Sequence, residues 1–250
     1  MLESIILDSV LEEILKKRVS RRRAISVGAK VGSAAAVAAV VAGSGGYFVG
    51  TTVSSAPKID PIHGFIGMST DVPPPKKPDH VVQLLIKPRP PIPIPEFFFQ
   101  PTGLFIKPGE TVQFVLTTPE HTITAYHPGF GFTQRVPDGI PPFSSPVLPV
   151  GAYWLYTFEK EGVYDMYCAP HQILGMTTRI VAGSATGPGA SPVPPPFPPA
   201  EQPPFPPFLG AALVLGDPAL APDNIISKGS VVWEDIKAEN KIPLIGLASG

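Results

Sequence analysis

From Val81 to Val181 the short apolar runs alternate with polar residues more than they follow a 3.6 period, and that pattern belongs to strands. The runs Val81–Ile86, Gly103–Ile106, Thr111–Leu116, Thr122–Tyr126, Gly151–Phe158, Gly162–Tyr167 and Thr177–Val181 are rich in Val, Ile, Thr, Tyr and Phe. Pro-Gly at 108–109, Pro-Asp-Gly at 137–139 and Glu-Gly at 161–162 punctuate them as turns. Roughly seven short strands over ~100 residues predict an all-β sandwich or barrel. No Gly-rich phosphate loop opens a helix and no GxSxG motif occurs.

Outside that stretch the pattern changes. Residues 2–17 read as a short amphipathic helix, and residues 31–50 run without a charge. Twenty such residues can cross a bilayer core of ~30 Å as a helix. Lys16, Lys17, Arg18, Arg21, Arg22, Arg23 and Lys30 precede the run, which predicts that the N-terminus stays inside the cell. The stretch Ser20–Ser26 with the apolar run behind it resembles a twin-arginine export signal. Ser54-Ser55-Ala56 offers small residues for cleavage, but Pro57 follows directly, which favours an uncleaved anchor.

Proline contributes 35 of the 250 residues, well above the usual ~5%. The prolines concentrate at 57–101 and 188–207, where they favour extended spacers over packed structure. The expected order is therefore a basic N-region (1–30), an anchor or export signal (31–50), a proline-rich spacer (51–80) and a folded domain (81–183). A proline-rich linker (184–207) and a C-terminal segment (208–250) follow. That last segment has enough apolar residues to pack somewhere; Asp223-Asn224 or Ser230 would cap short helices, and Trp233 would dock on the domain or on a partner.

Net charge is −1, and the folded stretch holds six basic against seven acidic residues. Nothing in that balance points to nucleic acid, and long-range steering of a charged partner should be weak. Cys168 is the single cysteine, so an intrachain disulfide, a four-cysteine zinc site and an iron–sulfur cluster are all excluded.

The chemistry lies around that cysteine. Cys168, His171 and Met176 stand as C-x2-H-x4-M in one loop between two strands. A thiolate and two imidazoles with a weak axial thioether suit copper in both oxidation states. The second imidazole falls to His121, which opens a strand 47 positions before the cysteine. His127 lies in a loop before Pro128-Gly129, while His63 and His80 lie in or beside the spacer and are expected to be solvated. Arg179, Glu159 and Glu161 read as solvated charges.

Gly162–Met176 fits G-x-Y-x-x-Y-C-x-P-H-x-x-x-G-M, and so resembles the copper signature of the plastocyanin family of cupredoxins. Residues 99–114 are similar to the family's early strands, and the likeness is nearest to archaeal halocyanin-like members. The resemblance implies a Greek-key β-sandwich and one copper ion cycling between Cu(I) and Cu(II), held by His121, Cys168, His171 and Met176. It also implies electron exchange with redox proteins such as a cytochrome or an oxidase complex. Many relatives carry Asn after the first histidine; here Thr122 stands there, which puts in doubt the usual tie between the two ligand loops.

The expected function is a membrane-tethered, extracytoplasmic electron carrier with no small-molecule substrate, in a respiratory chain. A copper-delivery protein, or a fixed subunit of an oxidase or cytochrome complex, is the alternative. Five histidines and one cysteine cannot supply a trinuclear cluster or a bridged dinuclear centre, so the chain is not expected to be an enzyme of those kinds. Phe130, Phe132, Pro170 and Gly175 are candidates for an apolar collar around the His171 edge.

Overall fold

The computed structural model describes residues 57–194 and 203–241. The helix expected at 2–17, the basic cluster and the apolar run at 31–50 lie outside the described residues. Among the described residues no helix is long and apolar enough to cross a membrane.

The alternating runs pair into two five-stranded sheets. In the first sheet, β1 (Phe65–Gly67), β7 (Tyr153–Thr157), β5 (Thr111–Leu116), β2 (His80–Arg89) and β3 (Ile92–Gln100) lie side by side in that order. In the second the order is β10 (Ser230–Val231), β4 (Gly103–Ile106), β9 (Thr177–Ala182), β8 (Gly162–Tyr167) and β6 (Thr124–Ala125). Most neighbours are antiparallel, but β2 runs parallel to β5 and β4 parallel to β9. The chain changes sheets between the members of each parallel pair, because a tight hairpin cannot join parallel strands.

Alternate side chains from both sheets meet between them. Val82, Leu84, Val112, Phe114, Leu116 and Trp154 of the first sheet pack against Leu104, Ile106, Tyr164, Met166 and Ile180 of the second. Cys168 and Met176 belong to this same core. The metal loop therefore grows directly out of the packed interior.

Three strands depart from the sequence expectation. The segment read as a spacer up to residue 80 contributes β1, which pairs with β7. The proline-dense stretch beyond it forms the β2–β3 hairpin. β3 carries Pro93 and Pro95 and lies at the edge of its sheet, the one place where a strand tolerates residues without an N–H. The third strand, β10, comes from the C-terminal segment. The run expected at Thr122–Tyr126 narrows to β6, because the irregular loop after it folds back through bridges His121–Leu148 and Thr124–Ser144.

The C-terminal segment covers the outer face of the second sheet. It folds into α1 (Leu209–Leu215) and α2 (Pro222–Lys228), followed by β10 and short 3-10 turns. Val214, Leu220, Ile225 and Trp233 pack on Phe98, Val163 and Val181. Trp233 docks on the sandwich, stacked on Phe98 with ring centroids 5.1 Å apart.

This cover explains a correction. Arg179 is not solvated but 3% exposed, and its guanidinium binds the Asp165 carboxylate through Nε at 2.7 Å and Nη2 at 2.9 Å. Arg135 binds the same carboxylate through Nε at 2.6 Å. The two arginines also donate outward, Arg135 to the carbonyls of Gly189 and Ser191, and Arg179 to that of Leu220. One buried aspartate thus fastens the segment after β9 and the C-terminal segment to the sheet. His80 is likewise paired: its Nε2 lies 2.8 Å from Glu110 Oε2.

Candidate metal centre

The loop between β8 and β9 begins at Cys168 and ends at Met176. Those two residues continue the strand pairing, since the Cys168 N–H donates to the Met176 carbonyl at 3.0 Å. The Thr177 hydroxyl closes the neck further by donating to the Met166 carbonyl. Inside the neck the His171 N–H donates to the Cys168 carbonyl, and Gln172–Leu174 form a 3-10 turn. Gly175 ends that turn with φ 91°, a left-handed conformation that glycine adopts without strain. The loop is therefore short, internally hydrogen-bonded and anchored at both ends.

His121 arrives from the other sheet. β5 ends at Leu116, and the next turn places Glu120 at φ 65° before His121 bridges to Leu148. Its ring is fixed by Thr118. The Thr118 hydroxyl donates to the Leu84 carbonyl at 3.1 Å, so its lone pair accepts from His121 Nε2 at 2.8 Å. With the proton held on Nε2, Nδ1 presents its lone pair.

That lone pair meets two other donors. Cys168 Sγ lies 3.5 Å from His121 Nδ1 and 3.4 Å from His171 Nδ1, and the two nitrogens are 3.2 Å apart. The centre of such a triangle lies about 2 Å from each corner, the length of a transition-metal–imidazole bond. The donor set, two imidazoles and one thiol, matches copper chemistry. Among the described residues this is the one group of three or more His, Cys, Asp or Glu placed to share an ion. Met176 is fully buried at the foot of the same loop.

The electrostatics favour a soft cation over a free charge. Burial pushes the Cys168 thiol up to about 11, against the opposing pull of the Thr122 and His171 N–H groups and the Thr122 hydroxyl. Burial, followed by the neighbouring His171, lowers His121 to about 4. Burial also lowers His171. Near neutral pH the metal-free triangle is thus uncharged, and a binding ion displaces the thiol proton.

Two residues around the triangle sharpen the sequence reading. Thr122, where many relatives carry Asn, still ties the ligand loops together. Its N–H points at Cys168 Sγ at 3.4 Å, and its hydroxyl oxygen accepts from the Ala169 N–H at 2.8 Å. The other is Phe97, whose ring stacks on His171 with centroids 4.2 Å apart and planes 21° apart. Phe97 is hard to single out in the sequence because it sits in a proline-dense run whose composition predicts a spacer. The triple Phe97-Phe98-Phe99 was the available signal.

The remaining candidates take ordinary places. His127 caps a 3-10 turn by accepting from the Gly129 N–H, and His63 is exposed. Of the four collar residues, Phe130 and Pro170 are exposed, but Phe132 and Gly175 are buried. Phe132 packs edge-on to Tyr126 and Phe208, and α1 covers Gly175.

Residues 92–183 match the family described as copper binding proteins, plastocyanin/azurin family. This part of the chain is a cupredoxin. Copper is accordingly its metal, and the triangle of His121, Cys168 and His171 is consistent with one ion. The chain is 32% identical over 85 residues to pseudoazurin of Methylorubrum extorquens, covering 34% of this chain and 51% of that protein. A putative pseudoazurin of Rhizobium leguminosarum bv. viciae is 34% identical over 105 residues, covering 42% and 60%. The chain thus spans about half to three-fifths of the length of these relatives. Native pseudoazurin from Hyphomicrobium denitrificans is a solved structure with 26% identity, covering 42% of this chain and 76% of that one at a TM-score of 0.34.

Proposed function

We propose that this chain is a single-electron carrier in which His121, Cys168, His171 and Met176 hold one copper ion as a type 1 site. The observation that carries the reading is the buried triangle of Cys168 Sγ and the two Nδ1 atoms, with sides of 3.2–3.5 Å. When bound, copper supplies a one-electron Cu(I)/Cu(II) couple. The chain's own residues hold the site still during that exchange. Thr118 locks the His121 ring, Thr122 bridges the two ligand loops, and the Cys168–Met176 pairing closes the neck. Such preorganisation keeps the rearrangement between oxidation states small. One electron enters from a reduced donor protein and leaves to an oxidised acceptor, with no bond made or broken in the chain.

The fully buried Cys168 favours retention of the ion over its delivery. Pseudoazurin relatives support the carrier role. We read the chain as a non-enzyme, since its single cysteine and five histidines support no further copper cluster. The charge-free run at 31–50 behind its basic cluster supports a tether that holds the copper domain outside the cytoplasm, exported by a twin-arginine signal. A cytochrome or oxidase complex of a respiratory chain is the partner this placement favours.

Visible and EPR spectra of the full chain after Cu(II) addition, beside Cys168→Ser, test the centre. The intact chain should develop an intense blue band that the substitution abolishes. A colourless copper form, or a band that survives without the thiol, would overturn the assignment.

A further inference from the structure

The residues after 183 lie outside the matched family stretch, yet they reach the metal loop. Helix α1 has seven residues, too few to be stable alone, so tertiary contacts hold it. Those contacts are close. A Cβ on Gly210 would clash with the Ile173 carbonyl oxygen and lie 2.7 Å from the Gly175 nitrogen. Both are backbone atoms of the loop between His171 and Met176, and they cannot swing aside as a flexible side chain would. From the loop's side, a Cβ on Gly175 would lie 3.1 Å from Val214 Cγ2 and 3.4 Å from the Gly210 oxygen. The helix lies on the loop, backbone against backbone.

The same helix touches the other end of the loop. Ala211 and Leu215 pack with Tyr126, Phe132 and Tyr167, and Tyr167 directly precedes Cys168. A second grip comes through β3. Glu96, Phe98 and Gln100 face away from the core, and Trp233 engages all three. It stacks on Phe98 with planes 8° apart, its Nε1 donates to Glu96 Oε2 at 3.1 Å, and its backbone N–H donates to Gln100 Oε1 at 2.8 Å. Between them, on the opposite face of the strand, Phe97 stacks on His171.

We propose that α1 and Trp233 are a positioning frame for the metal loop, with α1 clamping Ile173–Gly175 directly and Trp233 holding the strand that presents Phe97 to His171. The proposal builds on the type 1 copper reading above. Gly210, Val214 and Trp233 are positioning residues; none of them is a ligand. Without the frame, the loop would keep its ligands but lose the fixed geometry in which they meet. A covering segment that only added burial would affect stability and leave the site's signature alone.

The test compares Gly210→Ala with Ile225→Ala in the full chain. Ile225 lies on α2, fully buried in the same cover, and packs beside Gly103 instead of the loop. Each variant is measured by melting temperature, by the NMR signals of the His171 ring in the metal-free chain, and by copper affinity with the Cu(II) EPR spectrum. Gly210→Ala should displace the His171 signals, alter the EPR spectrum and weaken copper binding by roughly tenfold or more. Ile225→Ala should lower the melting temperature and leave signals, spectrum and affinity in place.

Unchanged His171 signals in Gly210→Ala, or equal changes in both variants, would overturn the frame. If Gly210→Ala does not fold, Val214→Ala replaces it, since it only removes methyl groups facing Gly175; unchanged signals there would overturn the frame equally. A parent chain that binds copper without a blue band would sink the type 1 reading, and the metal-free NMR comparison would still decide the frame.

Discussion

The imidazole of His171 lies almost flat on the phenyl ring of Phe97, with centroids 4.2 Å apart and planes 21° from parallel. This contact joins the metal loop of one sheet to an edge strand of the other, and it is half-buried on both sides. The face of the ring is thereby fixed, while the His121 ring is fixed at its edge by Thr118. The two ligand histidines are held by different physics, stacking in one case and a hydrogen bond in the other.

Phe97→Leu keeps apolar volume and removes the aromatic face. A stacked pair contributes about 0.5–1.5 kcal/mol beyond its area, so copper affinity should fall roughly two- to twelvefold. The metal-free chain offers an independent check. The His171 ring protons should lose the upfield shift imposed by the Phe97 ring, visible by NMR.

Thr122→Val removes the acceptor for the Ala169 N–H and leaves that donor unpaired beside the metal loop. An unsatisfied, partly buried N–H costs about 1–3 kcal/mol. Urea unfolding of the metal-free chain should show that loss, and Thr122→Ser should recover most of it. An unaltered unfolding midpoint in the valine variant would mean that the tie contributes little.

Asp165→Asn leaves the Arg135 and Arg179 guanidinium groups buried without their counter-charge. Breaking a buried ionic pair in this way costs about 3–5 kcal/mol. Acid should mimic the change. Burial alone pushes the Asp165 carboxyl up, but Arg179 and Arg135 together hold it below its ordinary value of 3.8. Its contribution is therefore complete above 3.8 and is lost as pH falls through the lowered folded value. Urea midpoints from about pH 2 to 6 should drop at the acid end in the parent and drop less in the asparagine variant.

Glu120→Gly should stabilise the chain. Glu120 holds φ 65°, a conformation that costs a non-glycine residue about 1–3 kcal/mol, and glycine's greater chain entropy returns only part of that. A net gain of about 1 kcal/mol should appear as a raised melting temperature. Copper affinity should hold, because the His121 backbone stays bridged to Leu148.

Much of the domain was legible along the chain. Gly103–Ile106, Thr111–Leu116 and Gly162–Tyr167 match β4, β5 and β8 residue for residue, because each is a short run rich in β-branched and aromatic residues that ends near a Gly or Pro turn. β3 was hidden by Pro93 and Pro95, whose meaning depends on whether a strand is central or at an edge. The burial of Arg179 is hidden in the sequence for a similar reason. On a strand whose outer face meets water it would be solvated, and the segment after β9 together with the C-terminal cover makes that face an interior.

The sequence by itself determined that one cysteine, one histidine and one methionine share a loop too short for them to part, and so pointed to a single copper centre. It also limited the chain to one such centre by its supply of ligands. Tertiary structure decided the rest. The convergence of His121 Nδ1 on Cys168 Sγ at 3.5 Å depends on two sheets meeting across a core, the residues standing 47 positions apart in the chain. The stacking of Phe97 and the clamp of Gly210 depend on strand faces and helix placement, which local pattern does not encode. Ligand identity is a property of residues, whereas ligand geometry is a property of how distant segments pack.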